Sequence, residues 1–190
     1  DTVFTGAEAC RAAINWKLNG LYAGRRDLYM RMPFDDSSRV YSDDNTSRIH
    51  YLLSRQVAVS AGEYLYRQHE ASATHRFDLR RLDFLAANRS LRSLLERYQA
   101  NTDILTACEE HCWRNFVGLY LQFRRQWATF TPQEHQLIRL SFKESLQAMR
   151  PERLPCALRW SPSWLFVRPF SLFVAYRQVL SVLKKILKPF

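Results

Sequence analysis

The chain has 190 residues, 47% of them hydrophobic, and a formal net charge of +10. That length and apolar content suffice for a buried core in one domain, or one domain with an appendage, and only 5 glycines and 7 prolines argue against a collagen-like or disordered chain. The positive charge favours an anionic partner, whether nucleic acid, a lipid surface or a phosphorylated substrate, without choosing among them.

The opening DTVFTGAEAC lacks the charged n-region and apolar h-region of a signal peptide. It also lacks an initial Met, as expected of a processed chain or a piece of a longer one. Thr5-Gly-Ala-Glu8 has the S/T-x-x-E form of a capping box and predicts a helix over about 6–18, with Asn19-Gly20 as its stop. LYAGRRDLYM then reads as a short strand or irregular segment, and MPFDDSS as a loop. Ser42 is a plausible N-cap for a helix running to about Arg55, with Ile49, Leu52 and Leu53 on its apolar face. VAVSAGEYLYRQ reads as β, with Val57, Val59, Tyr64 and Tyr66 alternating against small residues.

From Phe77 onward the pattern is helical. Leu79, Leu82, Leu91, Leu94, Leu95 and Tyr98 mark one helix, and Ile104, Leu105, Cys108, Cys112, Val117, Leu119 and Phe123 a second. Thr131-Pro-Gln-Glu134 is a capping box with proline at the first helical position, opening a third helix that ends near Met149. The linker RPERLPCALRWSPSW leads to a final amphipathic helix, whose apolar stripe is read as Leu172, Phe173, Tyr176, Val179, Leu180, Leu183 and Leu187. The nearest approach to a membrane span, SWLFVRPFSLFVAYRQVLSVL, is broken by Arg168, Pro169 and Arg177, so no run reaches the ~20 apolar residues needed. The expected fold is α+β and predominantly helical. Its mixed segment, residues 1–76, has too few strands for an independent sheet, and a helical module, 77–190, follows.

Cys10, Cys108, Cys112 and Cys156 are too scattered for a disulfide framework and read as reduced thiols in a cytosolic protein. Cys108-Glu-Glu-His111-Cys112 lacks the second pair that a zinc site needs, so its cysteines read as apolar helix positions, and no metal ligand set is assigned. Runs such as RRDLYMR and FRRQW interleave arginine with aromatics, but their spacing beside acids reads as solvated helix faces and disfavours nucleic acid.

Ser42-Asp43-Asp44 has two readings. Carboxylates in a first helical turn are stabilised by free backbone N–H groups, which makes a simple cap. The same place holds a carboxylate in a fixed direction, which suits a general base. The surrounding segments bear on the choice. Trp16, Lys17, Leu18, Arg26 and Leu28, then Tyr41-Ser-Asp-Asp44, then Leu65-Tyr66-Arg67-Gln68-His69 with Ser72, resemble in order and spacing the second half of the catalytic domain of family 2 glycosyltransferases, which have the GT-A fold. The resemblance covers about residues 5–80, with Asp43 where the family usually has Glu.

This resemblance implies an acceptor-side half of a GT-A-like α/β domain over 1–76, acting with a nucleotide-sugar donor and a glycan or lipid-linked acceptor. Asp44 would be the base and Asp43 would orient it or contact the acceptor. Arg67, His69 and Ser72 would lie near the leaving diphosphate, and Trp16 and Lys17 along the cleft. The family's D-x-D strand, which holds the donor with a divalent cation (Mg or Mn), has no counterpart ahead of Trp16, and Asp35-Asp36 falls in the wrong place. The expectation is therefore a part of such an enzyme, inactive alone. Basic residues and aromatics over 163–190 add a possible anionic membrane surface as partner, with the protein cytoplasmic or peripheral at the inner membrane face. The alternative is a non-catalytic helical interaction or membrane-surface protein whose acidic pair is only a cap.

Overall fold

A computed structural model describes residues 2–38, 41–63, 65, 77–161 and 170–186, with side chains of the last helix as far as 183. The fold is α+β and predominantly helical, as expected. Its strands β1 (Val3–Thr5) and β2 (Gln56–Ala58) pair antiparallel with Phe4 opposite Val57. β2 is shorter than predicted. It stops at Ala58, and Tyr64 and Tyr66 lie outside the described residues.

Helix α1 (Gly6–Ile14) starts at the predicted box, with the Thr5 hydroxyl accepting from the Glu8 N–H and the Glu8 carboxylate accepting from the Thr5 N–H. It ends at Asn15 rather than near residue 18. There the Lys17 N–H bonds the Ala12 carbonyl at 2.8 Å and the Trp16 N–H bonds the Ala13 carbonyl at 3.1 Å, a Schellman closure with Trp16 at φ 59. Asn19-Gly20 is therefore not the stop.

A helix, α2 (Arg26–Arg31), stands where a strand or irregular segment was predicted. Leu28 and Met32, four residues apart, are both buried, and the His50 Nε2–H donates to the Met32 carbonyl at 2.7 Å. Tertiary burial offsets the missing side-chain cap. His50 Nδ1 in turn accepts from the Tyr22 hydroxyl at 2.8 Å.

Helix α3 (Asp43–Leu53) has the predicted place, but Ser42 does not cap it: its hydroxyl donates instead to the Ser38 carbonyl at 2.8 Å. After a 3-10 turn at Leu79–Leu82 come α4 (Asp83–Arg97), α5 (Thr102–Arg125) and α6 (Pro132–Gln147), the last opened by the predicted Thr131–Glu134 box. The single helix read across Leu79 to Tyr98 is thus a 3-10 turn feeding an α-helix. A short α7 (Cys156–Arg159) lies in the linker before α8 (Phe170–Ile186).

Two apolar clusters hold these elements. Ala9, Cys10, Ile14, Ile49, Leu91, Leu95, Ile104 and Cys108 belong to the first, which joins α1, α3, α4 and α5 and so draws on residues from both sides of position 76. Leu85, Trp113, Phe116, Phe123, Ile138, Phe142 and Phe173 belong to the second, joining α4, α5, α6 and α8. Between α4 and α5 lies a buried ion pair, with Arg92 Nε and Nη2 donating to Glu109 Oε2 and Oε1 at 2.9 and 3.0 Å. Glu109 Oε1 also accepts the Arg150 N–H at 2.9 Å.

Candidate functional site

The acidic pair occupies the first turn of α3. Its neighbours tie that turn firmly to the rest of the fold. Asn45 donates to the Asp35 carboxylate at 2.8 Å and to the Ala87 carbonyl of α4 at 2.9 Å, and the Thr46 hydroxyl accepts from the Asp35 N–H at 2.9 Å. Tyr41 stacks on Phe84 with ring centroids 3.4 Å apart. The start of α3 is therefore clamped against α4 from two sides.

Within this clamp the two carboxylates differ. Asp43 is exposed, whereas Asp44 is half-buried. Burial lifts the Asp44 carboxyl above its ordinary pKa; Arg48, one turn along, pulls it back down, and Asp43 pushes it further up. No described residue donates a hydrogen bond to the Asp44 carboxylate or closes an ion pair with it. Asp44 is thus a half-buried carboxylate at the start of its helix whose oxygens no described residue engages.

Arg48 is itself buried and donates a hydrogen bond from Nη1 to Asn45 Oδ1 at 3.4 Å. Its guanidinium carbon lies 5.2 Å from the centroid of the Trp16 ring, and that indole is 50% exposed. The ring of His111, from α5, lies 6.3 Å from Trp16. His111 Nε2 accepts from Asn115 at 3.0 Å, and burial, helped by the Arg48 charge, pushes its pKa down to about 4. His111 is therefore a neutral imidazole at pH 7. The arrangement offers a free carboxylate able to accept a proton, a fixed cation beside it, and an aromatic surface open to solvent. Such a surface can stack on an apolar ring face.

The structure thus places two of the sequence-predicted residues, Asp44 and Trp16, within reach of the charge of one arginine. It does not gather the others. Lys17 is exposed and contributes only its backbone N–H to the end of α1. Arg67, His69 and Ser72 lie outside the described residues. Arg48 and His111 were not singled out as site residues. The i, i+4 spacing of Asp44 and Arg48 was the available signal, but nothing local reveals that the arginine is buried.

Cys108 and Cys112 face each other at 3.9 Å inside the first core, and Cys112 points its thiol at the Asn88 carbonyl. Both are core positions. A shallow depression of about 440 Å³ lined by Phe77, Asp78, Leu79, Arg80, Thr129, Phe130 and Glu134 shares no residue with the Asp44 cluster. Its acids are already engaged, Asp78 with Arg80 and Glu134 with the α6 cap.

Comparison of the chain with protein-family models, with curated proteins and with solved structures finds no significant match in any of the three.

Proposed function

We propose that the chain is the acceptor-side part of an inverting glycosyltransferase of family 2, with a GT-A-like catalytic domain, that passes a sugar from a nucleotide-sugar donor to a hydroxyl of a glycan or lipid-linked acceptor. The observation that carries this reading is the unbonded, half-buried Asp44 carboxylate in the first turn of α3, with its pKa raised by burial. A raised carboxyl is a better proton acceptor than an ordinary one. In the step, the acceptor oxygen attacks the anomeric carbon, the bond from that carbon to the diphosphate breaks, and the hydroxyl proton passes to Asp44. Trp16, with Arg48 over its ring, offers its exposed face to the acceptor.

The donor and its divalent cation fall to the D-x-D half of the family's fold. Among the described residues no three or more His, Cys, Asp or Glu side chains come together to hold that cation. The Asp35 carboxylate is taken up by Asn45, Ser37 and Ser90 at 2.8 to 3.1 Å. Transfer is therefore assayed in protein carrying both halves, with residues 1–190 alone expected to be inactive. Asp44→Asn should abolish transfer while leaving thermal unfolding near wild type. Transfer that survives this change removes Asp44 from its role.

The second reading, a helical membrane-surface or interaction protein, is favoured by the outer side of α8, where Leu172, Val179, Val182 and Leu183 are exposed. The two readings are compatible, since an enzyme acting on a lipid-linked acceptor works at the cytoplasmic membrane face.

A further inference from the structure

α8 is apolar on two sides. On its inner side Phe173 is fully buried, its ring 5.0 Å from Tyr120 and 5.5 Å from Phe116, and Phe170 and Val174 pack beside it. The apolar stripe predicted from the sequence groups Leu172, Val179 and Leu183 with Phe173. The core takes Phe173 and leaves the other three exposed, together with Val182. Val179 and Val182 are 57% and 56% exposed. Positions 172, 179 and 183 are seven and four residues apart and fall on one line of a helix roughly 25 Å long. The sequence continues as KKILKPF, which adds Lys184, Lys185 and Lys188 to a chain of net charge +10.

Resting on the membrane-surface reading, we infer that the outer side of α8 is a docking surface for an anionic lipid bilayer, with Leu172, Val179, Val182 and Leu183 entering the headgroup boundary and the positive charge of the chain drawing it to anionic lipid. Exposed aliphatic side chains along a helix of a strongly basic chain are the chemistry of an interfacial helix. A second copy of the chain suits the surface less well. A stable interface needs about 1,200 Å² or more of buried area, beyond what four side chains supply, and it would join two chains of charge +10. Among the described residues no helix is long and apolar enough to cross a membrane.

The test is co-sedimentation of the full chain with vesicles of phosphatidylcholine plus phosphatidylglycerol, against vesicles of phosphatidylcholine alone. The wild type should partition to the anionic vesicles, and neutral vesicles or high salt should weaken partition about tenfold or more. The triple variant Val179→Gln, Val182→Gln, Leu183→Gln keeps a helix-forming residue at each position and leaves Phe173 in place, so its melting should match wild type while partition falls about tenfold. The variant Lys184→Gln, Lys185→Gln, Lys188→Gln leaves the apolar side untouched and should lose the preference for anionic lipid. Equal partition by either variant, no preference between the two vesicle types, or a concentration-dependent dimer abolished by the triple variant would overturn the inference. The assay uses neither nucleotide sugar nor acceptor, so its failure is separate from failure of the transferase reading.

Discussion

Arg48 lies 5.2 Å from the ring centroid of Trp16, and Trp16 is held at φ 59, in the left-handed region where glycine is the usual occupant of a helix end. A bulky residue there costs on the order of 1 kcal/mol or more. The stacked guanidinium and the His111 ring are what hold it. The end of α4 makes the same backbone choice, with Gln99 at φ 53 and its side chain exposed.

These two positions make a paired prediction. Trp16→Gly and Trp16→Ala both lose the stack on Arg48, but only alanine must also adopt the left-handed backbone. Trp16→Gly should be the more stable of the two by about 1 kcal/mol in urea denaturation. Gln99→Gly loses no ring contact and should stabilise the protein by about 0.5–1 kcal/mol. Equal stability of the two Trp16 variants would mean that the backbone there relaxes once the indole is gone.

His111 predicts a pH dependence. Its folded pKa of about 4 lies below its ordinary value of 6.5, so the unfolded chain binds the proton first. The stability it supports is complete above pH 6.5 and is lost as pH falls from there toward 4, about 3 kcal/mol over that window. Asp44 acts in the opposite direction. Its folded pKa is raised, so the folded state gains from protonation as pH falls through the carboxylate range. The cap acids Glu8 and Glu134, lowered first by the backbone N–H groups of Thr5 and Thr131, lose their contributions only below about pH 4.5. Chemical denaturation of wild type and His111→Gln between pH 4.5 and 7 isolates the histidine: the variant should show a markedly flatter profile, and parallel profiles would contradict a neutral buried imidazole.

The parts of the fold that were legible in the sequence are those fixed by neighbours in the chain. Both capping boxes use only a threonine and a glutamate three residues apart, and both form as read. The long apolar periodicity of α5 needs no partner to be recognised. What escaped depends on contacts between distant segments. The end of α1 is set at Trp16 by an arginine from α3, overriding the stronger local signal at Asn19-Gly20. The helix at Arg26–Arg31 is too short for its periodicity to show, and Met32 is pinned by His50 from the next helix. Arg48 carries a charge and so reads as solvated, although the fold buries it beside Asp44. In α8 the apolar residues occupy so much of the helix that no pattern says which arc meets the core.

The Arg92–Glu109 pair predicts a different signature. Glu109 serves two donors, Arg92 and the Arg150 N–H, so Glu109→Ala strands a buried guanidinium and a backbone amide together. The loss should be about 3–5 kcal/mol. The double variant Arg92→Leu, Glu109→Leu removes both charges and should recover much of it, leaving mainly the orphaned Arg150 amide, which costs about 1–3 kcal/mol. A double-mutant cycle in urea measures the coupling. A single Glu109→Ala loss below about 1 kcal/mol would mean that water reaches the arginine.

Gly6 and Gly118 give the last prediction, because both are glycines inside helices with opposite surroundings. A Cβ on Gly6 would fall on the carbonyl oxygens of Ser54 and Tyr51, where α1 crosses the end of α3 with the two backbones in contact. A Cβ on Gly118, midway along α5, meets nothing within 4 Å. Gly6→Ala must push α1 off α3 and separate Ala9 and Cys10 from Ile49, so it should cost about 2–3 kcal/mol. Gly118→Ala should stabilise by about 1 kcal/mol through helix propensity alone. The two variants differ from wild type by the same methyl group, so the difference in their urea midpoints reads the closeness of α1 to α3 directly. The start of α3 carries Asp44, so on the proposed transferase reading, and in protein carrying both halves, a shift of that helix should also lower transfer in Gly6→Ala while leaving Gly118→Ala at the unsubstituted rate. Equal midpoints would show that the two helices do not approach at Gly6.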